Sequence, residues 1–144
     1  MSERPDPALI AEIQKAASLA GLAHVYPPEL YPYPDAAVLQ RWIESDDLIF
    51  VDEQERGFVA VKDEWLDGLY VRPEAWGSGV AAALHDRAIE AIRAAGHERA
   101  RLWVLEENVR ARRFYERRGW ALDGTTRVVE FPPNPLDLGY SLDL

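Results

Sequence analysis

Leu69-Tyr70-Val71-Arg72-Pro73-Glu74-Ala75-Trp76-Gly77-Ser78-Gly79-Val80-Ala81 is the stretch on which the fold turns. It reads as the end of a strand at Val71, a turn marked by Pro73, a loop with two glycines, and the start of a helix. Glycine at 77 and 79 lets the backbone take positive φ and lets a ligand approach without a Cβ in the way. The helix that follows opens with free N–H groups and a partial positive charge. A glycine turn feeding a helix N-terminus is a seat for phosphate.

Working outward, the segments on either side change period. Pro7 to Leu22 has apolar residues at helical spacing, with Asp6 as N-cap and Gly21 as its stop. A Tyr-Pro loop from Val25 to Pro34 follows, and Asp35 is expected to cap a second helix to about Glu44. From Asp47 onward, Leu48-Ile-Phe-Val, Gly57-Phe-Val-Ala-Val and Trp65-Leu-Asp-Gly-Leu-Tyr-Val read as strands. The turns between them are too short for anything but antiparallel neighbours. After the glycine loop, Val80 to Ala95 carries a helical stripe, then Arg101 to Leu105 a strand, a spacing that makes a parallel crossover. Asn108 to Arg118 is a further helix ended by Gly119. Trp120–Leu122, Arg127–Phe131 and Leu138–Leu144 are expected as three short terminal strands. The expectation is an α+β domain spanning 1–144 with a mixed, largely antiparallel sheet.

Composition narrows the function. The 144 residues are 48% hydrophobic, enough for a packed core, and no apolar run is long enough to cross a membrane. The first residues lack a secretory pattern, so the cytoplasm is the expected location. There is no cysteine, so disulfides, a thiol nucleophile and thiolate-bound zinc are excluded. His24, His85 and His97 form no metal spacing, and His85 and His97 read as helix surface and helix end. A net charge of −9 disfavours nucleic acid and weakly favours cationic small molecules, although solubility explains it as well.

Among phosphate ligands, the P-loop is excluded because no Lys-Ser/Thr follows the second glycine. Gly77, Gly79 and Ala82 satisfy a dinucleotide fingerprint, but Arg72 to Trp76 separate it from its strand, and the preceding strands are hairpin-linked. A second stretch decides: Leu102-Trp-Val-Leu-Glu-Glu-Asn-Val-Arg-Ala-Arg-Arg-Phe-Tyr-Glu-Arg-Arg-Gly-Trp120. The first stretch resembles the acyl-CoA loop of the GNAT superfamily of N-acetyltransferases. The second resembles its downstream signature: a strand, an Asn opening a helix, a Tyr seven residues on, and Gly plus an aromatic. Together they cover residues from about 64 to 120. The sequence departs from the superfamily in Trp76, which stands where Gln or Arg is usual, and in lacking an evident strand before the first helix.

That resemblance implies an α/β/α fold with helices on both sheet faces and splayed central strands holding acetyl-CoA. It implies that Gly77 and Gly79, with Trp76 and the backbone of Ser78, Val80 and Ala81, hold the CoA diphosphate. Leu69, Tyr70 and Val71 would offer backbone groups to the pantetheine arm, as a sheet edge takes an extra strand. Asn108, Arg112 and Tyr115 would line the same site from the next helix; of the arginines crowding it, Arg110, Arg112, Arg113, Arg117 and Arg118, one or two would reach the 3′-phosphate, and Arg112 lies on the Asn108–Tyr115 face. Asn108 is also a good N-cap. Tyr115 resembles the general acid that protonates the departing thiolate. A phenol near pKa 10 donating to a thiolate near 8.5 goes uphill by only about 2 kcal/mol.

The attacking amine must be neutral, and deprotonating an ammonium near pKa 10.4 at pH 7 costs about 4.6 kcal/mol. Asp67 and Glu64, on the cofactor strand, are the candidate bases, directly or through water. Asp67 shares strand parity with Leu69 and Val71 and is favoured. No metal is expected. The function expected is direct acetyl transfer from acetyl-CoA to a primary amine, a small cationic one by preference. A protein N-terminal or lysine amine and a non-catalytic acyl-CoA-binding module remain the alternatives. Neither a nucleic acid nor a membrane is expected as partner, and a homodimer through the sheet or the C-terminal strands is open.

Overall fold

The computed structural model describes residues 4–144. Helix α1 (Pro7–Gly21) starts as expected: Asp6 Oδ1 accepts from the Ala8 amide at 2.9 Å, and Pro7 fills the first turn. Helix α2 (Asp35–Glu44) does not. Asp35 is its first residue rather than its cap, and its carboxylate pairs with Lys15 of α1 at 2.7 Å. Buried Trp42 ties the same two helices together by donating its indole N–H to Gln14 Oε1 at 2.7 Å. Truncating either partner would strand a buried polar group, at a cost of about 1–3 kcal/mol.

Six strands make one sheet in the order β1-β2-β3-β4-β6-β5. They are β1 (Leu48–Val51), β2 (Gly57–Lys62), β3 (Trp65–Val71), β4 (Arg99–Leu105), β5 (Ala121–Val128) and β6 (Leu136–Asp143). Every pairing is antiparallel except β3 with β4. Helix α3 (Val80–Ala94) makes the crossover between those two, and α4 (Val109–Glu116) follows β4. The mixed, mostly antiparallel sheet is therefore as expected. The C-terminal end differs. Trp120–Leu122 and Arg127–Phe131 are not two strands; β5 runs through from Ala121 to Val128 with a register shift between Leu122 and Thr126. The Asp123–Thr125 side chains fold over Gly139 of β6, where any Cβ would collide with Thr125 Oγ1.

Strand β2 is buried on both faces, so its alternation sorts the core. Phe58 and Ala60 pack with Ile10, Ile13 and Trp42 under α1 and α2. Val59 and Val61 pack with Leu84, Ile92 and Leu102 under α3. Helices thus cover both faces. One irregularity matters for the site. Ala60 pairs with Gly68 but Val61 pairs with Leu66, so Asp67 is an extra residue without a partner. Leu66 and Leu69 both reach the α3 side across this bulge, and Asp67 is turned towards Arg41 of α2, at 3.5 Å. The parity expected for Asp67, shared with Leu69 and Val71, is broken by that one residue.

Candidate active site

Strands β3 and β4 pair at one register position, Trp65 with Arg101, beside an Arg101 N–H to Glu64 C=O bond of 2.9 Å. Beyond that point no ladder joins them. The two strands therefore form a fork whose closed end lies at 64–65 and 101, and whose arms carry Leu69–Val71 on one side and Val104–Leu105 on the other. A cavity of about 800 Å³ adjoins the open end of the fork. Leu69, Tyr70 and Val71 line it from β3, and Asn108 and Tyr115 from the α4 side.

At the β3 end, Gly77 and Gly79 take φ of 79° and 92°, values that only glycine adopts without strain. A Cβ at either position would meet nothing within 4 Å, so the conformation and not crowding requires glycine there. Gly77, Gly79 and Ala81 line the cavity, and the first amides of α3, from Val80 on, lack intrahelical acceptors. Ser78 is turned away: its amide and its hydroxyl both donate to the Ala75 carbonyl. A four-residue cradle with open space above it suits a diphosphate.

Trp76 lines the cavity as well. Its indole N–H donates to the Val71 carbonyl at 2.8 Å, and the Arg110 guanidinium lies 3.4 Å from its ring centroid. Asn108 accepts from the Ala111 amide at 3.3 Å, as an N-cap does, and it lines the cavity. Arg112 is committed elsewhere. It donates to the Tyr140 hydroxyl and the Glu106 carbonyl, each at 3.0 Å, and Tyr140 in turn donates to Glu116. The arginines that line the cavity are Arg110, Arg113, Arg117 and Arg118.

Tyr115 lines the cavity while most of its surface is buried. Its ring packs edge-on against Phe114 at 5.3 Å and Trp120 at 5.8 Å, and burial, then the neighbouring Tyr70, push the phenol well above its usual range. It keeps its proton at neutral pH. Behind it stands His85, which sequence reading put on the helix surface. His85 is 4% exposed because both ring nitrogens are satisfied: Nε2 accepts from the Trp120 indole at 3.0 Å, and Nδ1 therefore carries the proton towards Asp86 at 3.1 Å. Burial lowers its pKa, so it is neutral.

Neither carboxylate candidate lines this cavity. Glu64 sits in the turn at the closed end of the fork. Asp67 lies two residues past that end, on the α2 face of the sheet, and there it meets a partner that sequence reading missed. Asp47, in the connection before β1, has a buried Oδ2 with no partner inside the protein. Burial first, then the neighbouring Asp67, raise it to about 7. The signal was an aspartate just before an apolar strand, but only tertiary packing brings it to Asp67. On the same face Trp65 and Trp103 stack across the fork at 6.0 Å and 14°. No cluster of three metal-ligating side chains occurs among the described residues, and no helix is long and apolar enough to cross a membrane.

Known proteins are similar to this chain in sequence and in fold. A mycothiol acetyltransferase from Beutenbergia cavernae is 48% identical over a segment covering 36% of this chain and 18% of that protein. An uncharacterized N-acetyltransferase from Archaeoglobus fulgidus is 33% identical over 52% of this chain and 62% of that protein. The chain thus spans less than two thirds of the length of either curated relative. The PaiA N-acetyltransferase of Thermoplasma acidophilum, solved in complex with coenzyme A, has the same fold: TM-score 0.73 at 20% identity, covering 96% of this chain and 93% of that one. The model of the Acetyltransferase (GNAT) family matches residues 16–120, which takes in the fork, the glycine turn and α4 together. With well over half its length matched, this chain belongs to the GNAT acetyltransferase family.

Proposed function

We propose that the protein transfers the acetyl group of acetyl-CoA directly to a primary amine, with a small cationic amine as acceptor. One observation carries this: a single cavity has positive-φ glycines and helix-start amides at one end and the Tyr115 phenol in its wall. The cradle fits the diphosphate, the unpaired edges of the fork fit an extended amide-bearing arm, and the phenol holds a proton to give.

The thioester supplies the acetyl group and its sulfur leaves as a thiolate. Around it the residues divide the work. The amine nitrogen must lose a proton before it forms the new C–N bond, and the Asp47–Asp67 pair takes it. A base near 7 receiving from an ammonium near 10.4 still climbs about 4.6 kcal/mol, well within what a catalysed barrier absorbs. Tyr115 gives its proton to the sulfur as the C–S bond breaks. Its raised pKa makes it a weak acid, so it acts by hydrogen bonding until thiolate charge has built up. Glu64, at the closed end of the fork, is left with a structural part. No cysteine is present to form an acyl-enzyme, so amine and donor meet in one complex.

The preference for a small cationic amine draws on three features of the α2 face. The carboxylate pair is there, the stacked Trp65 and Trp103 offer aromatic surface to a cation, and the overall charge is −9. The test is CoA-thiol release with a panel of diamines, arylalkylamines, aminoglycosides and peptides, run beside thermal shift with acetyl-CoA. Turnover with diamines or arylalkylamines supports the proposal. Turnover confined to peptides makes this a protein acetyltransferase, and stabilisation by acetyl-CoA with no turnover makes it a binding module.

A further inference from the structure

Arg110 and Arg113 of α4, and Arg117 and Arg118 just past its end, line the cavity. In a chain with 25 acidic and 16 basic residues, acids to pair with them are plentiful. Yet among the described residues none of these four forms an ion pair. Arg118 donates to the Phe114 carbonyl and stacks on its ring at 3.8 Å. Arg110 has the most defined position. Trp76 is pinned at one edge by its bond to Val71, and its far edge approaches Gly21 of α1, where a Cβ would lie 3.8 Å from the ring. The fixed ring face then holds the guanidinium at 3.4 Å, and stacking on a ring leaves guanidinium N–H groups free for an anion. Trp76 is next in sequence to Gly77, so this stack sets a cation beside the glycine turn.

Resting on the proposed use of acetyl-CoA, we infer that Arg110 is the charged side-chain ligand of the cofactor's diphosphate, and that Trp76 is the platform which positions it. Positive charge is thereby supplied from α4 to the end of the cavity where the glycine turn lies. Stacking restricts the guanidinium before the ligand arrives, so less side-chain freedom is lost on binding. Burial lowers the Arg110 pKa, as expected for a cation held against a ring without an anion, and a bound phosphate would reverse that.

The test is calorimetric binding of CoA, dephospho-CoA and pantetheine to the full chain, as wild type, Arg110→Ala, Arg110→Lys, Trp76→Phe and Trp76→Leu, each checked for an unchanged unfolding temperature. Arg110→Ala should weaken CoA and dephospho-CoA alike, by about 10- to 100-fold, and leave pantetheine unaffected. The slope of log Kd against log salt should also flatten. Arg110→Lys keeps the charge but loses the flat stack and should fall between. Trp76→Phe keeps the platform and should bind nearly as wild type, whereas Trp76→Leu should resemble Arg110→Ala. A penalty seen with CoA and absent with dephospho-CoA would assign Arg110 to the 3′-phosphate and overturn the inference. So would an Arg110→Ala affinity within about twofold of wild type, below the cost of a charge-assisted bond. If wild type binds no CoA, the proposed function falls first, and this inference with it.

Discussion

The two arms of the fork serve one cavity by different means. On the β3–α3 arm the lining residues offer main-chain groups beside the Trp76 ring: the edge of Leu69–Val71, two glycines with positive φ, and the opening amides of α3. On the β4–α4 arm it meets side chains: Asn108, Tyr115 and four arginines. Backbone suits a ligand part that is the same in every turnover, because main-chain amides hold one geometry at little entropic cost. Side chains suit the step in which a proton moves, because their pKa values respond to surroundings. Asp67 is the exception. It is a side chain on the backbone arm, and the bulge is what turns it to the opposite face.

That exception should carry the largest effect. Asp67→Asn is expected to lower kcat/KM by about 100- to 1,000-fold while leaving acetyl-CoA affinity unchanged. In wild type, kcat/KM should rise through pH of about 7 as Asp47 loses its proton, since the pair must be deprotonated to accept one from the amine. Asp47→Asn removes the like charge, so the acid limb should move to lower pH. A limb that stays put in both variants would place the base elsewhere.

The next effect tests the backbone arm. Gly79→Val forces a β-branched residue to φ of 92°, at a strain of roughly 1–2 kcal/mol, and tilts the amides that follow. KM for acetyl-CoA should rise about 10- to 50-fold, with kcat changed far less, because a cradle contributes equally to ground and transition states. Steady-state kinetics at saturating amine separates the two constants. The side-chain arm should show the reverse split. Tyr115→Phe keeps the ring packing against Phe114 and Trp120 and should cut kcat by about tenfold, with KM steady. If Gly79→Val cut kcat and Tyr115→Phe raised KM, the division of labour between the arms would be wrong.

The same division governs how much was legible in the sequence. The glycine turn, the hairpins and the Asn108–Tyr115 helix follow from residue type and spacing, which backbone conformation largely obeys. Three features do not. One unpaired residue at Asp67 reverses the face of a strand, and no periodicity of that strand alone reports it. Asp47 and Asp67 lie 20 residues apart in sequence, so their shared environment exists only after folding. Arg112 shares a helical face with Asn108 and Tyr115 by spacing, but Tyr140 and Glu106 draw it away from the cavity. Likewise the sequence reads as two strands, Trp120–Leu122 and Arg127–Phe131, where the chain runs through as β5 and absorbs the residues between as an irregularity, because Gly139 opposite leaves room.

His85 gives the smallest effect and the one that links stability to the site. Its folded-state pKa is lowered, by burial first, with Arg118 adding to this and Asp86 opposing it. The unfolded chain therefore binds a proton near pH 6.5 that the folded chain refuses, and stability falls as pH drops below about 6.5. For one group the slope is at most about 1.4 kcal/mol per pH unit. His85→Gln keeps an acceptor for the Trp120 indole without a titrating ring, so its denaturant midpoint should lose this component between pH 7.5 and 5.5. In the folded wild type the packing behind Tyr115 should hold over this range and loosen only at lower pH, once His85 itself takes up a proton and can no longer accept from Trp120. A wild-type midpoint that tracks the His85→Gln midpoint across that interval would mean that the imidazole takes up its proton without unfolding, and that it has no part in holding the wall of the cavity at acid pH.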